Sequence, residues 1–189
     1  LTDTIAALAT PRGKSAIALI RMSGRLSAAI LARIATANGR PFSEFRSHRT
    51  YRADIRDGNL LIDEAMVVFM KSPESFTGED SAEIMTHGSP VIIERLLSLI
   101  IRSGARLAKN GEFTYRAFVN GKLDLTEAEA VADLIESTNA YAASQSAAKL
   151  KGRLSEAVTH ARDTLTDALV FIEANIDFPH DETDRKSGV

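Results

Sequence analysis

The sequence of 189 residues contains no cysteine, which excludes disulfide bonds, thiolate metal ligands and thiol nucleophiles. No uncharged run approaches the length needed to span a membrane. The first six residues also lack the basic start and long apolar stretch of a signal peptide. These absences predict a cytoplasmic protein that does not contact a membrane.

A strong charge of one sign is also missing, because 23 basic and 25 acidic side chains leave a net charge of −2. Such a chain has no overall positive field to attract nucleic acid, so any contact with RNA must come from a local basic patch. With 44% apolar residues, the chain is long enough for one large domain or two small ones. Because it begins at Leu1 and not at methionine, we interpret it as a piece of a longer protein.

Nucleotide and metal sites find no support in the sequence. The Gly-Lys-Ser run at 13–15 lacks the glycine that a P-loop requires five positions earlier, where Leu8 stands, and it leads into a predicted strand instead of a helix. We therefore expect this chain neither to bind nor to hydrolyse GTP. The histidines show no spacing typical of metal ligands, which predicts no metal site. They are His48, His87, His160 and His180.

The pattern of apolar residues changes along the chain. From Thr4 to about residue 108 they fall in short β-branched runs separated by turns, whereas from Phe113 onward they follow helical spacing. The sequence therefore predicts an α+β domain with a mixed β-sheet over residues 1–118. An all-α part is predicted to follow over residues 119–189.

Local signals predict the elements of the first part. The apolar run at 16–22 indicates a buried strand, and residues 26–37 indicate a helix. Alternation over 51–56, an Asp-Gly turn at 57–58 and the apolar run at 60–69 together predict a β-hairpin.

Helix signals dominate from residue 89 onward. Ser89 as N-cap and Pro90 as first helical residue predict a helix that ends at Gly104. A short helix is predicted at 113–120, ahead of Gly121.

The end of the chain predicts two further helices. Thr126 and Glu129 form a possible capping box at the start of a helix over 126–138. A second helix, which reaches to about Ile176 and which Pro179 helps to end, carries one apolar stripe that needs covering by helices from elsewhere in the protein or from another subunit. The stripe consists of Leu150, Leu154, Val158, Ala161, Leu165, Leu169, Ile172 and Ile176.

The polar, glycine-containing segment at 75–88 is typical of a binding loop. It carries Glu83 beside apolar Ile84 and Met85, which places a hydrogen-bond acceptor next to packed structure. His87 in the same segment is better explained by hydrogen bonds to nearby backbone than by a ligand.

Two cations are further candidates for a site. Arg21 lies near the end of an apolar strand, so its guanidinium must reach water, a carboxylate or a ligand, and the pattern leaves an ion pair and a ligand contact equally open. Lys122 follows the Asn-Gly turn at 120–121, from which a long cation can reach over a pocket. An isolated surface lysine is the simpler interpretation.

Four segments, taken in their order and spacing, resemble the N-terminal part of the MnmE (TrmE) family of bacterial tRNA modification GTPases. The likeness runs from about Asp3 to Asp184 and includes the Asp-Phe-Pro run at 177–179. The segments are Asp-Thr-Ile-Ala-Ala-Leu-Ala-Thr-Pro at 3–11, Ile-Arg-Met-Ser-Gly at 20–24, the loop at 75–88, and the run at 111–130 that begins Gly-Glu-Phe-Thr-Tyr-Arg-Ala-Phe.

The resemblance implies an N-terminal domain similar to the folate-binding part of aminomethyltransferases, and a helical domain into which a GTPase domain is inserted. By this resemblance, we expect the insertion to begin where this chain ends. The resemblance further implies a homodimer that forms through the N-terminal domains and joins the FAD protein MnmG in a heterotetramer. Together they add a (carboxymethyl)aminomethyl group to C5 of the wobble uridine of tRNA. Potassium and magnesium act in the GTPase domain, which this chain lacks.

By motif, the resemblance implies that Arg21, Glu83 and Lys122 bind 5-formyltetrahydrofolate or a related tetrahydrofolate. A pterin presents an exocyclic amine and a ring N–H side by side, which one carboxylate accepts together, while cations suit the carbonyls and glutamate tail of a folate. No catalytic residue is predicted in this chain. Two alternatives stay open: a stand-alone folate-dependent aminomethyltransferase, and a module that only dimerises and acts as a scaffold.

Overall fold

The computed structural model describes residues 3–37, 40–41 and 45–177. By its internal contacts the chain separates into two units, Leu1–Asp124 and Leu125–Val189. The first unit extends past the predicted limit at residue 118 because the segment after its last helix contacts its own loops. For example, Nδ2 of Asn120 donates a hydrogen bond of 2.7 Å to the carbonyl of Thr77.

The described part of the first unit contains one β-sheet and three helices. In chain order these elements are β1 (Thr4–Leu8), β2 (Ser15–Ser23), α1 (Ser27–Ile34), β3 (Ala35–Ala37), β4 (Arg40–Pro41), β5 (Thr50–Asp57), β6 (Leu60–Met70), β7 (Ser81–Gly88), α2 (Pro90–Arg102), β8 (Ala105–Leu107) and α3 (Glu112–Val119). The strand order across the sheet is β4-β3-β5-β6-β7-β2-β1-β8. Neighbouring strands are antiparallel, except for the parallel pair β1 and β8. The predicted α+β fold with a mixed sheet is confirmed.

One face of this sheet forms the hydrophobic core together with α1 and α2. Alternate residues of β2 and β7 point into it, among them Ile20 and Ile84, which are fully buried. Leu96 and Ile100 of α2 are fully buried against the same cluster. Burial of these side chains on one face leaves the intervening residues of the strands on the opposite face.

The opposite face of the sheet positions the candidate site. Arg21 on β2 lies directly across from Glu83 on β7. One step along the strands, Met85 of β7 lies between Leu19 of β2 and Met66 of β6. The Arg21–Glu83 pair therefore lies beside a row of apolar side chains on this face.

The predicted strand at 16–22 and the hairpin turning at 57–58 are confirmed. The predicted helix at 26–37 is wrong at its C-terminal end, because α1 stops at Ile34 and the next three residues form β3. Ala35 and Thr36 of β3 pair with β5, and these inter-strand hydrogen bonds replace a further helical turn.

The predicted helix at 89–104 is confirmed as α2, with Ser89 in the N-cap position and Pro90 as the first helical residue. The Ser89 side chain, however, makes no capping hydrogen bond. Instead its carbonyl accepts the first helical bond from the N–H of Ile93, at 3.0 Å. The short helix predicted at 113–120 is α3.

The second unit contains α4 (Leu125–Ile135), α5 (Ala140–Leu150) and α6 (Arg153–Asp177) among the described residues. The predicted capping box is wrong. Thr126 is the second residue of α4, and its hydroxyl bonds the hydroxyl of Ser155 at 2.7 Å.

The predicted apolar stripe is divided between two helices. Gly152 has a φ of 79°, a left-handed conformation that ends helical structure, so Leu150 belongs to α5 and the rest of the stripe to α6. Asn139 caps α5 by accepting a hydrogen bond of 2.9 Å from the N–H of Ala142, a start that the sequence prediction missed. Pro179, expected to help end the last helix, lies outside the described residues.

Candidate functional site

An ion pair between Arg21 and Glu83 lies at the centre of the candidate site. Nε of Arg21 is 2.8 Å from Oε1 of Glu83, and Nη2 of Arg21 is 2.6 Å from the same oxygen. The two side chains are 30% and 20% exposed. The pair is therefore held by the sheet register and remains accessible from the sheet surface.

The structure places Arg21 in an ion pair, which is one of the two roles that the sequence left open, since its charge is matched by a carboxylate of the same chain. Both contacts fall on Oε1 of Glu83, and among the described residues no hydrogen bond reaches Oε2. An ionised carboxylate accepts about four hydrogen bonds. Glu83 therefore retains the capacity to accept N–H groups of a ligand while it stays paired with Arg21.

Two aromatic rings lie beside the guanidinium of Arg21. The centroid of the Phe76 ring is 5.6 Å from Cζ of Arg21, and that of Phe113 is 5.8 Å from it. These distances are typical of cation–π contact, which restrains the guanidinium plane. Phe76 is 39% exposed. The surroundings of the ion pair thus combine charge with flat apolar surface, a combination suited to a planar polar ligand.

Lys122 lies against the loop that carries Phe76, which joins β6 to β7 and is called the 71–80 loop below. Nζ of Lys122 donates a hydrogen bond of 3.2 Å to the carbonyl of Pro73. A Cβ built on Gly78 would come within 3.2 Å of Cγ of Lys122. The structure therefore brings Arg21 and Glu83 into direct contact. It places Lys122 after α3, against the 71–80 loop, and among the described contacts none joins Lys122 to Arg21 or Glu83.

The 71–80 loop is held in place on its buried side by side chains that the sequence analysis did not identify. The hydroxyl of Ser23 lies 2.6 Å from that of Thr77 and 2.7 Å from Oε2 of Glu79. The hydroxyl of Ser75 donates to the carbonyl of Glu79 at 2.5 Å. These bonds are at least partly buried, so they fix the loop with little competition from water.

A fully buried arginine completes the anchor. Nη1 of Arg116 is 3.0 Å from Oε2 of Glu79, and Nη2 is 2.8 Å from Oδ1 of Asp3 and 3.2 Å from Oε1 of Glu112. The Arg116 side chain is 0% exposed. A buried charge is tolerated only when it is paired and hydrogen-bonded, and three carboxylates meet that requirement here.

Arg106 extends this buried cluster toward the surface. It contacts Glu112 at 2.5 Å and Asp3 at 2.6 Å. The hydrogen bond from Arg106 is the main reason that the pKa of Glu112 falls to about 2. The same guanidinium lowers the pKa of Asp3. Burial acts to lower the pKa of Arg116, but hydrogen bonds with Glu79 and Glu112 outweigh it, so the pKa rises and the charge is retained.

His87 has a local structural contact, as predicted, although its partner is a carboxylate instead of backbone. Its Nδ1 lies 2.8 Å from Oδ1 of Asp63, and its backbone N–H donates to Oδ2 of Asp63 at 2.8 Å. Burial acts to raise the pKa of Asp63, but hydrogen bonds donated by Thr86 and His87 outweigh it and hold the pKa below its usual range.

Other kinds of site find no support in the same described ranges. They contain no group of three or more acidic or histidine side chains able to hold a metal ion. None of the described helices combines the length and apolar character of a membrane span. Gly13 to Ser15 lead into β2, so the segment lacks the helix that a P-loop requires.

Family comparisons match this architecture along the chain. Residues 4–122 match the family model described as the GTP-binding protein TrmE N-terminus, and residues 125–188 match that of the MnmE helical domain. The division between the two matches coincides with the division between the two structural units.

Curated relatives agree with these matches. The tRNA modification GTPase MnmE of Brachyspira hyodysenteriae is 43% identical over 188 residues, which cover 97% of this chain and 40% of the relative. MnmE of Thermotoga petrophila is 44% identical over 186 residues, covering 98% of this chain and 40% of the relative. MnmE of a Roseiflexus species is 44% identical over 182 residues, covering 96% and 39% respectively.

A mixed-sheet domain followed by a helical domain, in this order, is the arrangement given by the two matching family models, a TrmE N-terminus and an MnmE helical domain. The chain belongs to the MnmE (TrmE) family of tRNA modification GTPases. It spans about 40% of the length of these curated relatives.

Proposed function

We propose that the first unit binds a reduced folate, such as 5-formyltetrahydrofolate, through Glu83, Arg21 and Lys122. The ion pair of Arg21 and Glu83 carries the proposal, because it presents a carboxylate with one oxygen that has no hydrogen bond among the described residues, beside exposed aromatic surface. The two adjacent N–H donors of a pterin match such a carboxylate. Lys122, which lies against the 71–80 loop, provides a cation for a carbonyl or carboxylate of the same ligand.

In the whole protein, this unit supplies the one-carbon donor for tRNA modification. It acts in the cytoplasm with the FAD protein MnmG, in a heterotetramer, to add a (carboxymethyl)aminomethyl group to C5 of the wobble uridine of tRNA. GTP hydrolysis, with potassium and magnesium, takes place in a GTPase domain that lies outside this chain. The family membership supports this role, and the chain itself binds without catalysing.

Titration calorimetry with 5-formyltetrahydrofolate tests the proposed site. Glu83→Ala removes the acceptor and leaves Arg21 unpaired, so we expect the binding free energy to weaken by about 2 kcal/mol or more. Asp57→Ala is the control, because Asp57 of the sheet also pairs with an arginine, Arg102, at 2.8 Å and does not line the groove described below. Equal affinity of the wild type and Glu83→Ala would remove Glu83 from the site.

We also propose that two copies of the chain associate through the sheet face that carries the site. A groove of about 260 Å³ on this face is lined by Ile17, Met66 and Met85, among others. Ile17 is 63% exposed and Met66 is 41% exposed, an arrangement that favours an apolar contact with a partner.

Sedimentation velocity tests this interface. Ile17→Glu places a charge in the groove and should shift the chain toward monomer. Leu60→Glu, at a residue that is 50% exposed beside the turn of the β5–β6 hairpin, is the control that should leave the dimer intact. A dimer that persists unchanged in Ile17→Glu would exclude this face as the interface.

A further inference from the structure

Phe76 projects from the 71–80 loop, whose buried side includes the ion pair between Glu79 and Arg116. Its ring is 39% exposed and its centroid lies 5.6 Å from Cζ of Arg21. Three residues further along the same loop, Glu79 points to the interior, where its side chain is 14% exposed. The loop thus presents the ring of Phe76 on its exposed side and the carboxylate of Glu79 on its buried side.

We propose that Phe76 is a further ligand-contacting residue that packs against the flat ring of the folate, and that the ion pair between Glu79 and Arg116 is the positioning contact that holds it there. The contact assigned to Phe76 rests on the proposed function. The positioning assigned to Glu79 and Arg116 rests on the geometry of the loop alone.

The contact follows from the composition of the site. A conjugated ring bound to Glu83 by its polar edge has two apolar faces that must also leave water. Among the described residues, Phe76 and Phe113 are the aromatic side chains found beside the Arg21 guanidinium. Aromatic groups in contact prefer offset or edge-to-face packing, which a partly exposed ring on a fixed loop supplies with little loss of freedom.

The positioning follows from how the loop is tied. Both oxygens of Glu79 contact Nη1 of Arg116, at 3.2 and 3.0 Å, and Oε2 also accepts a hydrogen bond from Ser23. Arg116 is fully buried and belongs to α3, so it cannot follow a displaced loop. Loss of the Glu79 charge removes the ionic attachment of the loop to Arg116, whereas the hydrogen bonds between the strands on either side of the loop remain.

Calorimetric titration of the whole chain with 5-formyltetrahydrofolate tests the contact. Phe76→Ala should raise the dissociation constant by about tenfold, an ordinary effect for an aromatic contact. Phe118→Ala is the matched control, since Phe118 is 40% exposed on α3 and has no described contact with Arg21. Equal dissociation constants for the wild type and Phe76→Ala would overturn the contact. Failure of the wild type to bind folate would overturn the proposed function and this contact together.

The positioning role of the Glu79–Arg116 pair can be tested without any ligand. Because the chain contains no tryptophan, a tryptophan introduced at position 76 is its single indole. In a Phe76→Trp protein, the single indole reports the surroundings of the loop by its emission maximum and its quenching by acrylamide. Adding Glu79→Gln should shift the emission to longer wavelength and increase quenching. Arg106→Gln, which disrupts the same cluster at Asp3 and Glu112 and not at Glu79, should leave both unchanged.

Two outcomes of the indole experiment would overturn the positioning role. One is an emission spectrum that Glu79→Gln does not change. The other is an equal change with Arg106→Gln, which would indicate general loosening of the domain. If the proposed function fails but Glu79→Gln alone shifts the indole emission, the loop anchor stands without the ligand contact.

Discussion

Arg21 and Glu83 face each other across adjacent antiparallel strands, and both contacts of the guanidinium converge on a single carboxylate oxygen. The register of β2 and β7 fixes this geometry, so no loop movement is required to form it. The two residues therefore present a preorganised polar edge on the sheet surface. Preorganisation reduces the entropy lost when a ligand binds. The affinity for the proposed folate should therefore depend on the geometry of this ion pair.

Replacing Arg21 by lysine should impair binding more than stability. Lysine keeps the charge but loses the planar group that contacts the rings of Phe76 and Phe113. We expect the dissociation constant for 5-formyltetrahydrofolate to rise by about tenfold, because a planar guanidinium and an ammonium are not interchangeable at a stacked site. The free energy of unfolding should change by less than about 1 kcal/mol, as for other partly exposed pairs.

Arg102→Lys is the control for that experiment. Arg102 of α2 contacts Asp57 at 2.8 Å, and neither residue lines the groove on the face that carries the site. Calorimetry and chemical unfolding of both variants separate the two effects. Equal loss of affinity in Arg21→Lys and Arg102→Lys would show that the Arg21 pair has no special role.

Gly24→Ala should destabilise the first unit strongly. Gly24 has a φ of 129°, and an added Cβ would lie 2.6 Å from the carbonyl oxygen of Asp3 and 2.7 Å from Cα of Thr4. Both are backbone atoms, which cannot move aside locally, so we expect a loss of about 3 kcal/mol or more in the free energy of unfolding. Urea unfolding followed by circular dichroism measures it.

Gly13→Ala separates backbone strain from steric overlap. Gly13 has a similar φ of 135°, but a Cβ there meets nothing within 4 Å. The expected loss is about 1 kcal/mol, due to the backbone conformation alone. Losses of equal size in the two variants would mean that the contact with Asp3 and Thr4 does not matter.

Low pH should weaken the ion pairs that Glu112 of α3 makes with Arg106 and Arg116. Its pKa falls to about 2 in the folded chain, mainly by the hydrogen bond from Arg106, from an ordinary value of 4.5. A lowered pKa stabilises the fold above the unfolded value, so this contribution is present above about pH 4.5 and is lost as the pH falls toward 2. Urea unfolding of the wild type and Glu112→Gln from pH 6 to pH 3 measures the contribution.

Between these limits, the difference in stability between the two proteins should shrink as the pH falls. A difference that stays constant over the whole range would mean that the carboxylate of Glu112 does not contribute through its charge.

Leu169→Gln should have little effect on the stability of the chain. Leu169 is 57% exposed on α6, and exposed substitutions usually change the free energy of unfolding by less than about 0.5 kcal/mol. The same substitution at Leu96, which is fully buried, should cost about 3 kcal/mol or more, since it places an amide in the core. A large loss for Leu169→Gln in chemical unfolding would show that another copy of the chain covers the stripe.

The elements that sequence analysis predicted well have local causes. The β5–β6 hairpin follows from an Asp-Gly turn between alternating and apolar runs, and α2 follows from Ser89 and Pro90. By contrast, β3 forms where helical spacing continues, because pairing with β5 overrides local preference. A single sequence contains no signal for that pairing.

The site shows the same division between local and distant causes. The sequence identifies Arg21 and Glu83 separately as candidate site residues. Their contact, however, joins residues 62 positions apart and depends on the strand order. Arg116 was missed entirely. Its spacing of four from Glu112 is a recognisable helix pair. Its burial, however, depends on Glu79 and Asp3, which lie 37 and 113 residues away.

The convergence of Asp3, Glu79 and Glu112 on the Arg116 side chain also sets an order of events during synthesis. A nascent chain released only as far as β8 already contains every strand of the sheet, yet its 71–80 loop lacks the cation that fastens it. Only when α3 leaves the ribosome can Asp3 and Glu79 contact Arg116, so the anchor of the 71–80 loop forms after every strand of the sheet has been synthesised.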